Sequence, residues 1–297
     1  MSTNVIAMHG VTKRYGSDVT ALDDVTFALE ENHIHGLLGR NGAGKTTAMQ
    51  ILTAQNFASS GRAEIFGEQP YENAPVLART CFIRESLKYP DSYTVGHALR
   101  AAATVYPHWD QAFADQLVEE FALPRTRRAK KLSRGQVSAV GVIIGLASRA
   151  PLTFFDEPYL GLDAVARQLF YDRLLADYAE HPRTVVLSTH LIDEVSDLIE
   201  HVVLIDGGRI LIDSDAEDLR GSAVTVTGPV EAVERFAGGH VELHREQMGG
   251  FLRVTLSGAA SEPTPPELQF EPVSLQQLVV RTTQQNSAAR ADRKVLS

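Results

Sequence analysis

The sequence predicts an α/β protein with a mostly parallel core sheet, an inserted helical subdomain and a small C-terminal α+β domain. Three observations lead there. Over the first 220 residues, short apolar runs alternate with helix-period patterns. The runs at residues 34–38, 152–155, 184–188 and 202–205 lack polar alternation, as strands buried on both faces do. A glycine-rich turn joins the first of these runs to a helical pattern over residues 45–55.

The remaining elements follow in order. Residues 84–150 change texture, with helical patterns at 94–105 and 110–121. A basic stretch follows, with Arg125, Arg127, Arg128, Lys130 and Lys131. This segment reads as a helical subdomain inserted in the α/β domain, which spans residues 1–220. Its basic run reads as a solvated face whose field favours anions. Residues 137–147 form the longest apolar stretch, rich in Gly and Ala, and read as a buried helix. After Gly221 the order becomes strand, helix, strand, strand, at residues 224–226, 230–236, 241–243 and 252–256. That assigns residues 221–283 to a small second domain. The polar end, residues 284–297, reads as a disordered tail.

Bulk properties bound the function. A chain of 297 residues with 44% apolar and 22% charged residues can build one large domain and a small one. A net charge of −9 argues against a protein that grips nucleic acid, so no nucleic-acid partner is expected. Cys81 is the single cysteine, so no intramolecular disulfide can form. The first ten residues lack a basic stretch followed by an apolar run, and no secretion signal is expected. No window approaches eighteen consecutive apolar residues. If the protein works at a membrane, another chain provides the spanning part.

Gly39, Arg40, Asn41, Gly42, Ala43, Gly44, Lys45 and Thr46, followed by Thr47, match the pattern G-x-x-x-x-G-K-[ST] between a strand and a helix. Glycines let successive N–H groups turn toward one anion, and the helix adds its positive N-terminus. Lys45 is placed to reach the β- and γ-phosphates of ATP, and Thr46 to ligate Mg²⁺. Asp156 and Glu157 end the apolar run at 152–155, at the carboxyl end of a strand, where α/β sheets bind ligands. Asp156 is the candidate Mg²⁺ ligand. Glu157 is the candidate general base for the attacking water. Taken alone, two acids at a strand end also read as simple solvation of that end.

Leu132-Ser133-Arg134-Gly135-Gln136 precedes the buried helix. Ser133 can serve there as a helix N-cap. The segment also resembles the signature motif of ABC-type ATPases, and the resemblance covers about the first 220 residues with the motifs in the family's order. It implies that Tyr15 stacks on adenine; a tyrosine there also suits an edge strand or core. It implies that Asp163 touches an opposing subunit, although Asp163 also suits a helix N-cap. It implies that His190, after the third apolar run, contacts the γ-phosphate and holds Glu157 and water. Two positions depart from the pattern. Glu85 stands where the family has a glutamine that contacts Mg²⁺, and a carboxylate can ligate that metal too. Arg134 replaces a glycine, and its cation either nears the γ-phosphate of a neighbouring subunit or points to solvent.

The resemblance implies a mechanism. Ser133, Arg134, Gly135, Gln136 and Asp163 close over ATP held by a second subunit, a copy or a homologue, in a head-to-tail dimer. One copy of each motif per chain makes that second chain necessary. An integral membrane permease is the implied partner, which places the chain in the cytoplasm on the inner face of the plasma membrane. Tyr89, Pro90, Tyr93, Tyr106 and Trp109 either help form the docking groove or fill the helical subdomain. The C-terminal extension is similar to that of bacterial drug and antibiotic exporters. A solute importer is the neighbouring reading. Other classes are a non-transport ABC ATPase in translation or DNA repair, and a regulatory nucleotide-binding subunit with weak turnover.

Overall fold

The computed structural model describes residues 4–84, 88–258 and 265–295. The chain falls into two compact units, Met1–His190 with Ile205–Ile210, and Leu191–Leu204 with Leu211–Ser297.

The strands of the first unit are β1 (Asn4–Tyr15), β2 (Val19–Glu30), β3 (Ile34–Leu38), β4 (Ser60–Ile65), β5 (Thr80–Arg84), β6 (Leu152–Asp156) and β7 (Thr184–Thr189). Its helices are α1 (Lys45–Leu52), α2 (Ala74–Ala78), α3 (Val95–Val105), α4 (Gln111–Glu120), α5 (Arg134–Ala147) and α6 (Ala164–Glu180). Strands β5, β6, β7 and β3 lie side by side in that order, all parallel. Every residue of β3, β6 and β7 is buried, which explains their unbroken apolar runs. The register puts Arg84, Asp156 and Ser188 level at the carboxyl ends. Strands β2, β1 and β4 form a separate antiparallel sheet that the sequence reading does not anticipate.

The helical subdomain is built as expected. Thr94 caps α3 and Asp110 caps α4, each accepting from the backbone three residues on. Helix α5 is buried almost all round from Ser138 to Ala147. A buried ion network ties its end to its neighbours. Asp177 on α6 accepts from Arg183 at 2.6 Å and from Arg149 at 3.1 Å, and Arg149 also meets Asp110 at 3.0 Å. Removing one partner of such a buried network costs about 3–5 kcal/mol. Arg125 pairs with Asp115 at 2.6 Å, and the rest of the basic run is largely solvated, as expected.

The aromatics of residues 89–109 divide. Tyr89 and Tyr106 surround Cys81, and burial pushes both phenols far up and the thiol to about 11. Tyr93 is exposed.

The second unit carries α7 (Ile192–Val195), most of β8 (His201–Asp206) and β9 (Arg209–Asp215), then α8 (Ala216–Leu219), β10 (Ala223–Pro229), α9 (Val230–Ala237), β11 (Val241–Met248), β12 (Phe251–Ser257), β13 (Gln269–Pro272) and α10 (Leu275–Val295). Strands β11, β12, β10 and β13 form an antiparallel sheet in that order. Val226, Val254 and Leu256 pack with Val233 of α9 and with Phe236 and Phe270. The division therefore differs from the expected one at residue 220. Ala216 donates to Glu200 at 2.8 Å, His201 bridges Asp213 and Asp215, and Arg220 bonds to Ser196, which ties residues 191–204 to 211–220; both group with the C-terminal sheet. The tail expected to be disordered from residue 284 instead continues α10 as far as Val295. Its Gln, Arg and Lys residues are polar, but they and its Ala residues are good helix formers.

Candidate functional site

The phosphate-loop residues sit between β3 and α1. Gly39 and Gly44 have φ of +147° and +118°. A Cβ on Gly39 would lie 2.2 Å from the Ile205 carbonyl oxygen, and one on Gly44 would lie 2.7 Å from that of Ala21. Only glycine fits either place. The loop is closed by Ala43 N–H donating to the Arg40 oxygen at 3.1 Å. Lys45 is buried, and its Nζ donates to the Gly39 oxygen at 2.7 Å and the Arg40 oxygen at 3.3 Å. A cleft of about 330 Å³ opens over Arg40 to Thr47, with Ala21, Glu157 and Leu160 on its walls. A cationic side chain and a helix N-terminus facing one cleft make an anion site.

Asp156 ends β6 beside this loop. Thr46 Oγ1 donates to Asp156 Oδ2 at 2.8 Å, while Oδ1 is buried with no hydrogen-bond partner among the described residues. Burial pushes the Asp156 carboxyl above its usual range; the Thr46 bond opposes this and the Glu157 charge adds to it. An unsatisfied anion next to a second hard oxygen suits a small hard cation such as magnesium.

Glu157 follows in a strained backbone state, with φ of +51°, rare for a residue of its type. Its N–H is anchored on the Ser188 oxygen at 3.1 Å. Its two carboxylate oxygens have different surroundings. Oε2 accepts from the Tyr159 hydroxyl and lies 2.8 Å from His190 Nδ1. Oε1 is buried with no hydrogen-bond partner among the described residues, 3.5 Å from Lys45 Nζ. Tyr159 is a site residue that sequence reasoning misses. Its oxygen lies 2.9 Å from His190 Nδ1, and accepts from His190 N–H at 3.2 Å and Thr189 Oγ1 at 3.1 Å. Burial drives its phenol far up, so it stays protonated and able to donate. Its only sequence signal is its place two residues after Glu157, and a buried tyrosine ordinarily reads as core.

The signature residues build a second cleft. Ser133 caps α5 in a reciprocal box with Gln136: Ser133 Oγ accepts from Gln136 N–H at 3.2 Å, and Gln136 Oε1 accepts from Ser133 N–H at 3.1 Å. Asp163 caps α6 by accepting from Ala166 N–H at 2.9 Å. Ser138 Oγ donates to the Leu160 oxygen at 2.6 Å, drawing the two caps together. The cleft, about 410 Å³, is lined by Ser133 to Gln136 and Gly161 to Asp163, and shares no lining residue with the first. Thus the structure gathers Lys45, Thr46, Asp156, Glu157 and His190 around the phosphate loop. It gathers Ser133, Arg134, Gly135, Gln136 and Asp163 elsewhere.

Gly135 allows this second cleft to close. A Cβ there would lie 2.5 Å from the Gly161 carbonyl oxygen, which only a backbone shift could relieve. Gly135→Ala is expected to lower stability by about 1–3 kcal/mol, read as a fall in Tm. An unchanged Tm would mean that the loop at 160–163 yields freely.

Tyr15 ends β1 and is 43% exposed, which excludes the core alternative. Its hydroxyl accepts from Asn56 Nδ2 at 2.6 Å, and Lys13 Nζ lies 5.0 Å from the ring centre. It does not line the phosphate cleft. Glu85, the proposed additional metal ligand, lies outside the described residues.

The chain is similar to known proteins. A family profile described as "ABC transporter" matches residues 22–160. The putative ABC transporter ATP-binding protein AlbC of Bacillus subtilis is 31% identical, over 70% of this chain and 90% of its own. The doxorubicin resistance ATP-binding protein DrrA of Mycobacterium tuberculosis is 30% identical, over 73% of this chain and 68% of its own. A solved ATP-binding subunit of an ABC transporter superposes with a TM-score of 0.65 at 24% identity, covering 72% of this chain and 91% of that one. That last likeness speaks for the fold.

Proposed function

The chain belongs to the ATP-binding proteins of ABC transporters, and from that premise we propose that it is the ATPase that powers a separate membrane permease of the drug- or antibiotic-exporter type. It binds and hydrolyses ATP, as its family does. The observation that carries the site reading is the divided carboxylate of Glu157. One oxygen is committed to Tyr159 and His190, and the other is buried without a hydrogen bond 3.5 Å from Lys45 Nζ, on a residue that lines the phosphate-loop cleft.

In this reading the loop N–H groups and Lys45 hold the β- and γ-phosphates. Lys45 exchanges its bonds with the Gly39 and Arg40 oxygens for phosphate oxygens. Thr46 and Asp156 hold Mg²⁺, with Glu85 as an additional ligand; the metal supplies charge neutralisation on the phosphates. Glu157 orients water through its unbonded oxygen and takes the proton. His190 contacts the γ-phosphate and holds Glu157 through its Nδ1. Tyr15 offers an exposed ring for adenine.

Ser133, Arg134, Gly135, Gln136 and Asp163 serve a second nucleotide, held by another copy or a homologue in a head-to-tail dimer. Support comes from the separate clefts: Ser133 to Gln136 and Asp163 line one that shares no residue with the phosphate-loop cleft. Hydrolysis removes the phosphate that both halves hold, and the pair loosens. No helix among the described residues is long and apolar enough to cross a membrane. In this reading the permease holds the chain on the inner face of the plasma membrane.

The purified chain is expected to release phosphate from ATP when magnesium is present, and not when it is chelated. Tight ATP binding without phosphate release would overturn the ATPase role and leave the regulatory one.

A further inference from the structure

Tyr159 brings its hydroxyl to three functional groups at once, and the protons there can be counted. A phenol has one proton and two lone pairs. The backbone N–H of His190 can only donate, and it points at the phenol oxygen from 3.2 Å. Thr189 Oγ1 donates to the same oxygen from 3.1 Å. Both lone pairs are thereby used. The phenol proton is the one the hydroxyl still has to give, and it is donated to Glu157 Oε2. His190 Nδ1 then lies 2.8 Å from Oε2 and 2.9 Å from the phenol oxygen. A bare Nδ1 would set a lone pair against Oε2. Nδ1 therefore carries a proton and donates it to Glu157.

We propose that Tyr159 is the positioning residue of this ATPase site: its hydroxyl fixes one oxygen of Glu157 and sets the proton on His190 Nδ1, which leaves Glu157 Oε1, beside Lys45, as the carboxylate oxygen outside the clamp and the one that acts as base. The claim rests on Glu157 being the general base. The need for a clamp is visible in the backbone. Glu157 holds φ of +51°, an arrangement that neighbouring structure must enforce. The turn after it supplies the lever: Leu160 N–H donates to the Glu157 oxygen at 3.1 Å and Leu162 N–H to the Tyr159 oxygen at 2.9 Å, folding the buried ring back under the strand ends. The ring also meets the imidazole edge-on, with centroids 5.7 Å apart. Without the hydroxyl, Oε2 keeps only the His190 bond, and the carboxylate can rotate about its stem. Misplacing a base by about 1 Å can cost on the order of a hundredfold in rate.

The test is Tyr159→Phe, which keeps the ring and its packing. The expected result is a fall in kcat of about 10- to 100-fold, with the KM and Kd for ATP within about twofold of wild type. Exchange of the His190 amide should quicken, since its acceptor is gone. In a double-mutant cycle with His190→Ala the two losses should be strongly non-additive, because both variants undo one arrangement. A kcat within about twofold of wild type, or a loss confined to KM, overturns the proposal. Thr189→Val reads the same clamp from its other side and should lower kcat at unchanged KM; no change there also overturns it. Glu157→Gln separates the two ideas. If it keeps turnover, the base assignment fails; if it stops turnover while Tyr159→Phe does not, only the role of Tyr159 fails.

Discussion

Glu157→Gln cuts ATP hydrolysis by about 10²- to 10⁴-fold, the usual contribution of a positioned base, and leaves ATP binding intact. The amide keeps the length and shape of the carboxylate. Its carbonyl oxygen can still accept from Tyr159 and His190 Nδ1, which hold Oε2 in the native chain. What disappears is the anionic oxygen at Oε1, 3.5 Å from Lys45 Nζ and without a hydrogen bond. Water bound there has no base to take its proton. Loss of a negative charge beside the γ-phosphate also favours the ATP-bound state. The variant should therefore accumulate as an ATP-held dimer, visible as an earlier elution in size-exclusion chromatography. Elution only as monomer with ATP would count against the shared site, and turnover near the wild-type rate would remove Glu157 from the chemistry.

Lys45→Ala abolishes useful nucleotide affinity. A unit charge about 4 Å from a phosphate contributes about 4 kcal/mol at an effective dielectric constant near 20. That corresponds to a rise in Kd on the order of a thousandfold. The native Lys45 is buried and ready, held by the Gly39 and Arg40 oxygens at the mouth of the cleft. Its removal also leaves Asp156 and Glu157 side by side without the nearest cation. Calorimetric titration with ATP reads the change; affinity within about threefold of wild type would sink the phosphate-loop assignment.

What the sequence discloses follows from how local each feature is. The phosphate loop is legible because strand, turn, Lys45 and helix are contiguous. Asp156 and Glu157 are legible because an unalternated apolar run ends on them. The second cleft is legible only in part. Ser133 and Gln136 are close in the chain, but their fit against Gly161 depends on a backbone approach that no spacing encodes. Tyr159 is hidden for the same reason, since three of its four partner atoms belong to Thr189 and His190. The antiparallel sheet is hidden by irregularity. The pairing of β1 with β2 shifts register between Met8 and Val11 and again between Val11 and Lys13, so the two-residue period that marks a strand is broken. The ion network of Arg149, Asp177 and Arg183 joins residues 28 and 6 positions apart. The tail misleads because polarity and helix propensity point in opposite directions over residues 284–295.

The backbone of Glu157 carries a consequence for evolution. A left-handed state suits asparagine or glycine far better than glutamate. The same residue also buries an oxygen without a hydrogen bond beside a second carboxylate. Folding by itself thus disfavours the residue found there, and only selection for turnover retains it. In a descendant relieved of that selection, position 157 is where drift would make the protein more robust and silence it in one step.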